Sequence, residues 1–230
     1  MLTKSKLSSE WILKYYKELE NCGVENHGLL IMQNGETIFE EYNYPYSADM
    51  PHTLFSVTKS VVSTAAGFAI NEGLFSLDDK LSDYMPEFME MTVKTNHGIK
   101  KAEKPILIKH LFEMTAGFSY HCRSQHIIAA ISETDGRCPT RETMKYLAKE
   151  PLLFEPGDRW EYSLCHDVLA ALVEVVSGER FECYVKKNIF DVAGMTRSTF
   201  MLPDEELPTI AEQYTYTNGA ASNIGHKIYK

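Results

Sequence analysis

The stretch Thr53-Leu54-Phe55-Ser56-Val57-Thr58-Lys59-Ser60 decides how the rest of the chain is read. It holds the only Ser-x-x-Lys in the sequence. It also opens an apolar run, rich in small residues, that reaches Asn71 and includes Val61, Val62, Ala65, Ala66, Phe68, Ala69 and Ile70. That run reads as a helix from Ser56 to Asn71, apolar on most sides and therefore buried, with Gly73 stopping it. At a helix start, residues three apart share a face, so the Lys59 ammonium can reach the Ser56 hydroxyl. Free amides of the first turn favour negative charge developing there. A lysine partly buried against an apolar helix has a lowered pKa and accepts a proton near neutrality. These are the requirements of an activated nucleophile. The motif alone is weak, since Ser-x-x-Lys arises by chance about once in an ordinary chain of this length. A Ser cap followed by an exposed Lys is the plainer reading of it in isolation.

Toward the N-terminus, Ser8 or Ser9 can cap a helix in which Trp11, Ile12, Tyr15 and Leu19 share a face, ended by Gly23. Two strands follow, Gly28 to Met32 and Thr37 to Tyr42, joined by Asn34-Gly35, the strongest short-range hairpin signal. Toward the C-terminus, Leu77 to Phe88 is rich in turns with short helical pieces, and Lys94 to Lys104 reads as an exposed basic loop. Ile108 to Met114 reads as a short helix closed by Ala116-Gly117. Ser119 to Pro139 is irregular, and Thr140 to Lys149 is a helix capped by Thr140. Asp167 to Ser177 is a long apolar helix ended by Gly178, Phe181 to Ile189 is another, and Gln213 to Thr217 alternates like a strand. Strands first and helices in the middle give an α+β chain with segregated elements.

The 230 residues are enough for one large domain or two small ones. A formal charge of −9 argues against nucleic acid and anionic membranes as partners. The five cysteines are odd in number and widely spaced, with no C-x-x-C, so free thiols in a reducing compartment are expected. Met1 to Glu20 lacks an apolar stretch of signal-peptide length, and no apolar run approaches the roughly 20 residues of a membrane span. A cytoplasmic protein without membrane contact is the expectation.

Further motifs occur in order along the chain. They are Glu72-Gly73-Leu74-Phe75-Ser76-Leu77-Asp78-Asp79, Tyr84-Met85-Pro86-Glu87-Phe88, Ile108 through Phe118, Phe154-Glu155-Pro156-Gly157-Asp158-Arg159-Trp160-Glu161-Tyr162-Ser163, Asp167 through Gly178, and Ile189-Phe190 through Gly194-Met195. Together with Ser56 to Lys59 they resemble the serine β-lactamase and penicillin-binding-protein-like family, of class C β-lactamase, esterase and D-Ala-D-Ala carboxypeptidase type. The resemblance runs over roughly residues 26 to 215. It implies an α+β, β-lactamase-like fold: one domain over 1–230 with a helical subdomain of about 60–155, packed with an antiparallel sheet that is incomplete at the C-terminus.

The resemblance also implies roles. Ser56, Lys59 and Tyr162 are the expected catalytic residues, with Tyr162 sharing the proton-shuttling role with Lys59. Tyr162-Ser163-Leu164 stands where the family has Tyr-x-Asn. Asn there would hydrogen-bond a substrate amide and Leu cannot, which favours esters over β-lactams or peptides. Apart from the resemblance, Phe118 and Trp160 read as residues that line an acyl pocket, with Leu164 beside them, and Trp160 reads equally well as plain core. The family's third element, Lys-Thr-Gly or His-x-Gly on a late strand, is absent: His226-Lys227-Ile228 has no glycine in the needed place. Losing one oxyanion donor typically costs about 10²–10³ in rate.

The expected function is therefore a serine hydrolase forming an acyl-enzyme on Ser56 with a small-molecule ester or amide, needing no cofactor and no metal. The alternative is a truncated, non-catalytic member of the same fold, acting as a binding protein or gene fragment. A second copy of the chain is one way to complete the sheet. His110, His121, Cys122 and His126 match no established metal-ligand spacing. Cys165-His166-Asp167 is not a catalytic dyad, because adjacent residues on a helix point apart. Asp158 and Glu161 read as solvated turn carboxylates.

Overall fold

In the computed structural model, residues 8–218 and 220–225 are described. They fall into two compact units, one made of the described residues up to Leu54 and from Met201 on, the other Phe55–Phe200.

The first unit opens with α1 (Ser9–Asn21), followed by the antiparallel hairpin β1 (Gly28–Gln33) and β2 (Glu36–Tyr42). Asn34 and Gly35 take φ of 55° and 81°, the left-handed pair that a tight hairpin turn requires. The buried face of α1 is not the expected one. Ile12, Tyr16 and Leu19 turn inward, with Tyr16 edge-on to Phe39 of β2, whereas Trp11 and Tyr15 stand in solvent. Ile12 and Tyr16 are one turn apart, and Trp11 with Tyr15 forms the neighbouring row. The unit ends in a second hairpin, β5 (Tyr214–Thr217) with β6 (Ala220–Asn223). Among the described residues each hairpin is a two-stranded sheet by itself. His226, Lys227 and Ile228 lie outside the described residues.

The second unit is helical. It contains α2 (Thr58–Asn71), α3 (Ile108–Phe112), α4 (Gln125–Glu133), α5 (Thr140–Leu147), α6 (Cys165–Ser177) and α7 (Phe181–Val185), which runs on into a π-helical turn at Lys186–Phe190. Its core is built around α6, where Val168, Leu169, Leu172 and Val173 are fully buried. From α2 come Ala65, Ala66 and Ala69, also fully buried. Small side chains let the two helix backbones approach closely. Each buried Leu or Val there contributes about 1.5–3 kcal/mol relative to exposure. α2 buries one face only, since Phe68 and Ser60 are exposed. Gly178 closes α6 in the left-handed conformation.

Three segments differ from the sequence expectation. The polar stretch read as a loop is the hairpin β3 (Thr92–Thr95) and β4 (Gly98–Lys101), anchored by buried Val93, which bridges to Leu152. Ser119 to Pro139 contains α4, whose Ser124 side chain accepts the Ile127 amide at 3.3 Å. α5 begins after Pro139, and Thr140 makes no side-chain cap there.

Candidate active site

Ser56 sits in a 3-10 turn, Phe55–Val57, immediately before α2 rather than inside it. Phe55 takes φ of 44°, a left-handed conformation costly for a bulky residue. Strain of this kind costs about 1–3 kcal/mol and concentrates at functional sites. Here it lifts Ser56 into an exposed position at the head of the helix. Lys59, half-buried in the first turn of α2, donates to the Ser56 hydroxyl at 3.3 Å.

Tyr162 arrives from far along the chain, and a ladder of backbone hydrogen bonds fixes its position. Leu153 donates to Gly117, Gly157 to Thr115 and Glu161 to Met114, at 2.7, 2.8 and 3.0 Å. Residues 114–119 thus form a rail along which residues 153–164 are laid. Gly117 makes the close approach feasible: its φ is 92°, and a Cβ there would lie 2.5 Å from the Phe154 carbonyl oxygen. The result is a hydrogen bond between the Tyr162 and Ser56 hydroxyls.

Two aromatic rings surround the ammonium. Lys59 Nζ lies 4.9 Å from the centre of the Tyr162 ring and 5.6 Å from that of Tyr120. Tyr120 meets Tyr162 edge-on at 4.9 Å. Tyr120 falls in the stretch read as irregular, and nothing in its local sequence distinguishes it from any other exposed aromatic.

The electrostatics correct the expected division of labour. Partial burial pulls the Lys59 pKa down, but Tyr162, Tyr120 and Asp167 outweigh it, and the net shift is upward. The Tyr162 phenol moves the other way: Lys59 first, and then the bond to Ser56, hold it below the usual tyrosine value. The group poised to lose its proton is therefore the phenol, and Lys59 is the cation that makes this favourable. The expectation of a lowered lysine pKa fails because burial, which does pull it down, is outweighed by the Tyr162 phenol together with Tyr120 and Asp167.

The three residues expected to contact substrate are placed differently from one another. Trp160 is exposed, its ring 6.5 Å from that of Tyr162. Phe118 is only 2 % exposed and packs edge-on against Phe88 in the core. Leu164, just before α6, joins the same core cluster. His110 is buried, its Nδ1 accepting the Leu107 amide, whereas His121 and Cys122 are exposed. Asp158 pairs with Lys104. Among the described residues no group of three or more His, Cys, Asp or Glu is placed to hold a metal ion. No helix among them is long and apolar enough to cross a membrane.

The Beta-lactamase family profile matches residues 17–225. The chain belongs to the Beta-lactamase family. Family relatives include esterases and acyltransferases. The chain is 27% identical to Esterase EstB of Burkholderia gladioli over 190 residues, covering 80% of this chain and 47% of that protein. It is 29% identical to the Lovastatin esterase of Penicillium rubens over 191 residues, covering 78% and 47%. The structure of EstCE1, a hydrolase with promiscuous acyltransferase activity, superposes with a TM-score of 0.75 at 23% identity, covering 94% of this chain and 58% of that one. The fold is thus β-lactamase-like, with helices and small antiparallel sheets. The chain spans about half the length of the curated relatives it matches.

Proposed function

We propose that this Beta-lactamase family chain is a serine hydrolase that forms an acyl-enzyme on Ser56 from a small carboxylic ester. The observation that carries the reading is the three-way contact of the Ser56 hydroxyl with the Tyr162 phenol and the Lys59 ammonium. The Ser56 oxygen attacks the ester carbonyl carbon, and its proton passes to the Tyr162 oxygen. The carbonyl oxygen becomes an oxyanion facing the Ser56 backbone amide and the first turn of α2. Collapse breaks the ester C–O bond, and the leaving alkoxide takes the proton back from Tyr162. Water then attacks the acyl carbon and gives its proton to the same phenolate; collapse breaks the bond to Ser56, whose oxygen takes that proton back from Tyr162 as the acid leaves. Lys59 stays charged throughout and stabilises the phenolate. No cofactor takes part.

Leu164 supports an ester rather than an amide, since its side chain packs into the core and this position therefore offers no hydrogen bond to a substrate amide. The names of the two esterases at 27–29% identity point the same way. Side-by-side turnover of short-chain nitrophenyl esters and of nitrocefin tests this reading. Ester hydrolysis faster than nitrocefin hydrolysis, lost in Ser56→Ala, is expected. Faster nitrocefin turnover would assign the site to β-lactams instead.

A further inference from the structure

A buried histidine lies beside the site and is used by none of the steps above. His166, 7 % exposed, stands on α6 just after Tyr162. Its Nε2 is hydrogen-bonded to the Ser63 hydroxyl at 3.0 Å. Its Nδ1 is buried and, among the described residues, has no hydrogen-bond partner. Ser63 is one helical turn beyond Lys59 on α2, so the two side chains leave the same face. Deeper in the α2–α6 packing, Ala65, Ala66 and Ala69 share one apolar cluster with Val168 and Leu169. Apolar surfaces give cohesion without direction. A buried hydrogen-bonded pair fixes one arrangement.

We propose that His166 is a positioning residue: through Ser63 it ties α2, which carries Lys59 and follows Ser56, to α6, which follows Tyr162, and it does so in its neutral form. The proposal rests on the reading of Ser56, Lys59 and Tyr162 as the reacting groups. In the neutral tautomer that suits the geometry, Nε2–H donates to Ser63 and Nδ1 keeps a lone pair. Protonation leaves that bond intact but adds a buried Nδ1–H with no acceptor, which is costly. It also adds a second positive charge beside Lys59.

The charges on the other elements packed against α6 are engaged elsewhere. Lys109 of α3 pairs with Asp78, Arg141 of α5 with Glu87, and Lys145 of α5 with Glu142. Glu182 of α7 pairs with Arg180. His110 of α3 accepts from the Leu107 amide, and Asp167, next on α6, acts on Lys59. Lys59 is the charge that reaches His166, and burial first, Lys59 second, hold the imidazole below the usual histidine pKa. An imidazolium there would push the Lys59 ammonium away from the phenolate it stabilises.

The test follows the His166 ring by NMR across pH in the full chain, alongside kcat/KM for a nitrophenyl ester. His166 is expected to titrate below about 6.5 and to rise toward that value in Lys59→Met. In the wild type, log kcat/KM should fall with a slope of about one at neutral pH, steepening toward about two where His166 takes its proton. His166→Gln, which keeps a donor for Ser63 without a titratable ring, should lose the steepening and retain the rate at pH 8 within about threefold. His166→Leu should lower kcat about tenfold or more with KM unchanged, as a small misplacement does. If His166→Leu does not fold, Ser63→Ala carries the same expectation. A histidine that titrates at the usual value, or one that ignores Lys59→Met, overturns the proposal, as does unchanged steepening in His166→Gln. Coupled titration without ester turnover supports the link between His166 and Lys59 and sinks only the hydrolase reading.

Discussion

The Lys59 ammonium lies 4.9 Å from the centre of the Tyr162 ring while donating to the same Ser56 hydroxyl that Tyr162 engages. A cation so placed lowers the free energy of a phenolate more than that of a phenol. Activity should therefore require deprotonated Tyr162. The deprotonated fraction grows as pH rises through a pKa that lies below the ordinary value of about 10. Ester hydrolysis should rise with pH to a plateau, and Lys59→Met should move that rise to higher pH as the tyrosine returns toward its ordinary value. A kcat/KM profile of both proteins measures it; an unshifted rise would mean that Lys59 does not tune the phenol.

Removing the phenolic oxygen should cost more than removing its neighbour's. Tyr162→Phe keeps the ring over Lys59 and loses the proton acceptor, so kcat should fall about 10²–10⁴-fold. Tyr120→Phe retains the ring face that Lys59 sees and should stay within about threefold of wild type. Tyr120→Ala removes a cation–π contact of about 0.5–1 kcal/mol and should cost about two- to fivefold. Steady-state kinetics on the three variants separates a proton carrier from a ring that shapes its field.

Gly117→Ala should damage fold and site together. The left-handed φ of 92° alone costs a non-glycine residue about 1–2 kcal/mol. The clash with the Phe154 carbonyl would also displace the rail that holds Tyr162. A melting temperature lowered by several degrees, with kcat reduced in the protein that remains folded, is the expected result of calorimetry and kinetics.

Leu169→Ala tests the core without touching the site. Leu169 is fully buried on α6, and truncation should cost about 2–5 kcal/mol in denaturant unfolding. The same change at exposed Leu13 of α1 should stay within about 0.5 kcal/mol.

Much of this was legible in the chain because local rules decide it. Asn34-Gly35 admits few alternatives to a hairpin, and the apolar run before Gly178 is long enough to be read as a helix without tertiary help. The pairing of Ser56 with Lys59 follows from helical spacing, whereas the arrival of Tyr162 was implied only by the family resemblance. What escaped depends on contacts distant in sequence. The direction of the Lys59 shift is set by residues 120 and 162, which no local reading brings to it. The strand at Thr92 is held by Val93 against Leu152, an anchor hidden among charged neighbours. α4 is short, and its local signals are the Ser124 cap and the apolar run Ile127 to Ile131, flanked by polar residues on both sides. The inward row of α1 could be told from its neighbour only once Tyr16 had met Phe39.

The central claim is that Ser56 is a nucleophile activated by Tyr162. Intact-mass measurement after brief exposure to a fluorophosphonate tests it most directly. One adduct mapping to Ser56, forming about 100-fold more slowly in Tyr162→Phe and absent from Ser56→Ala, is the predicted result. An unmodified wild type, or an adduct that persists in Ser56→Ala, would contradict it.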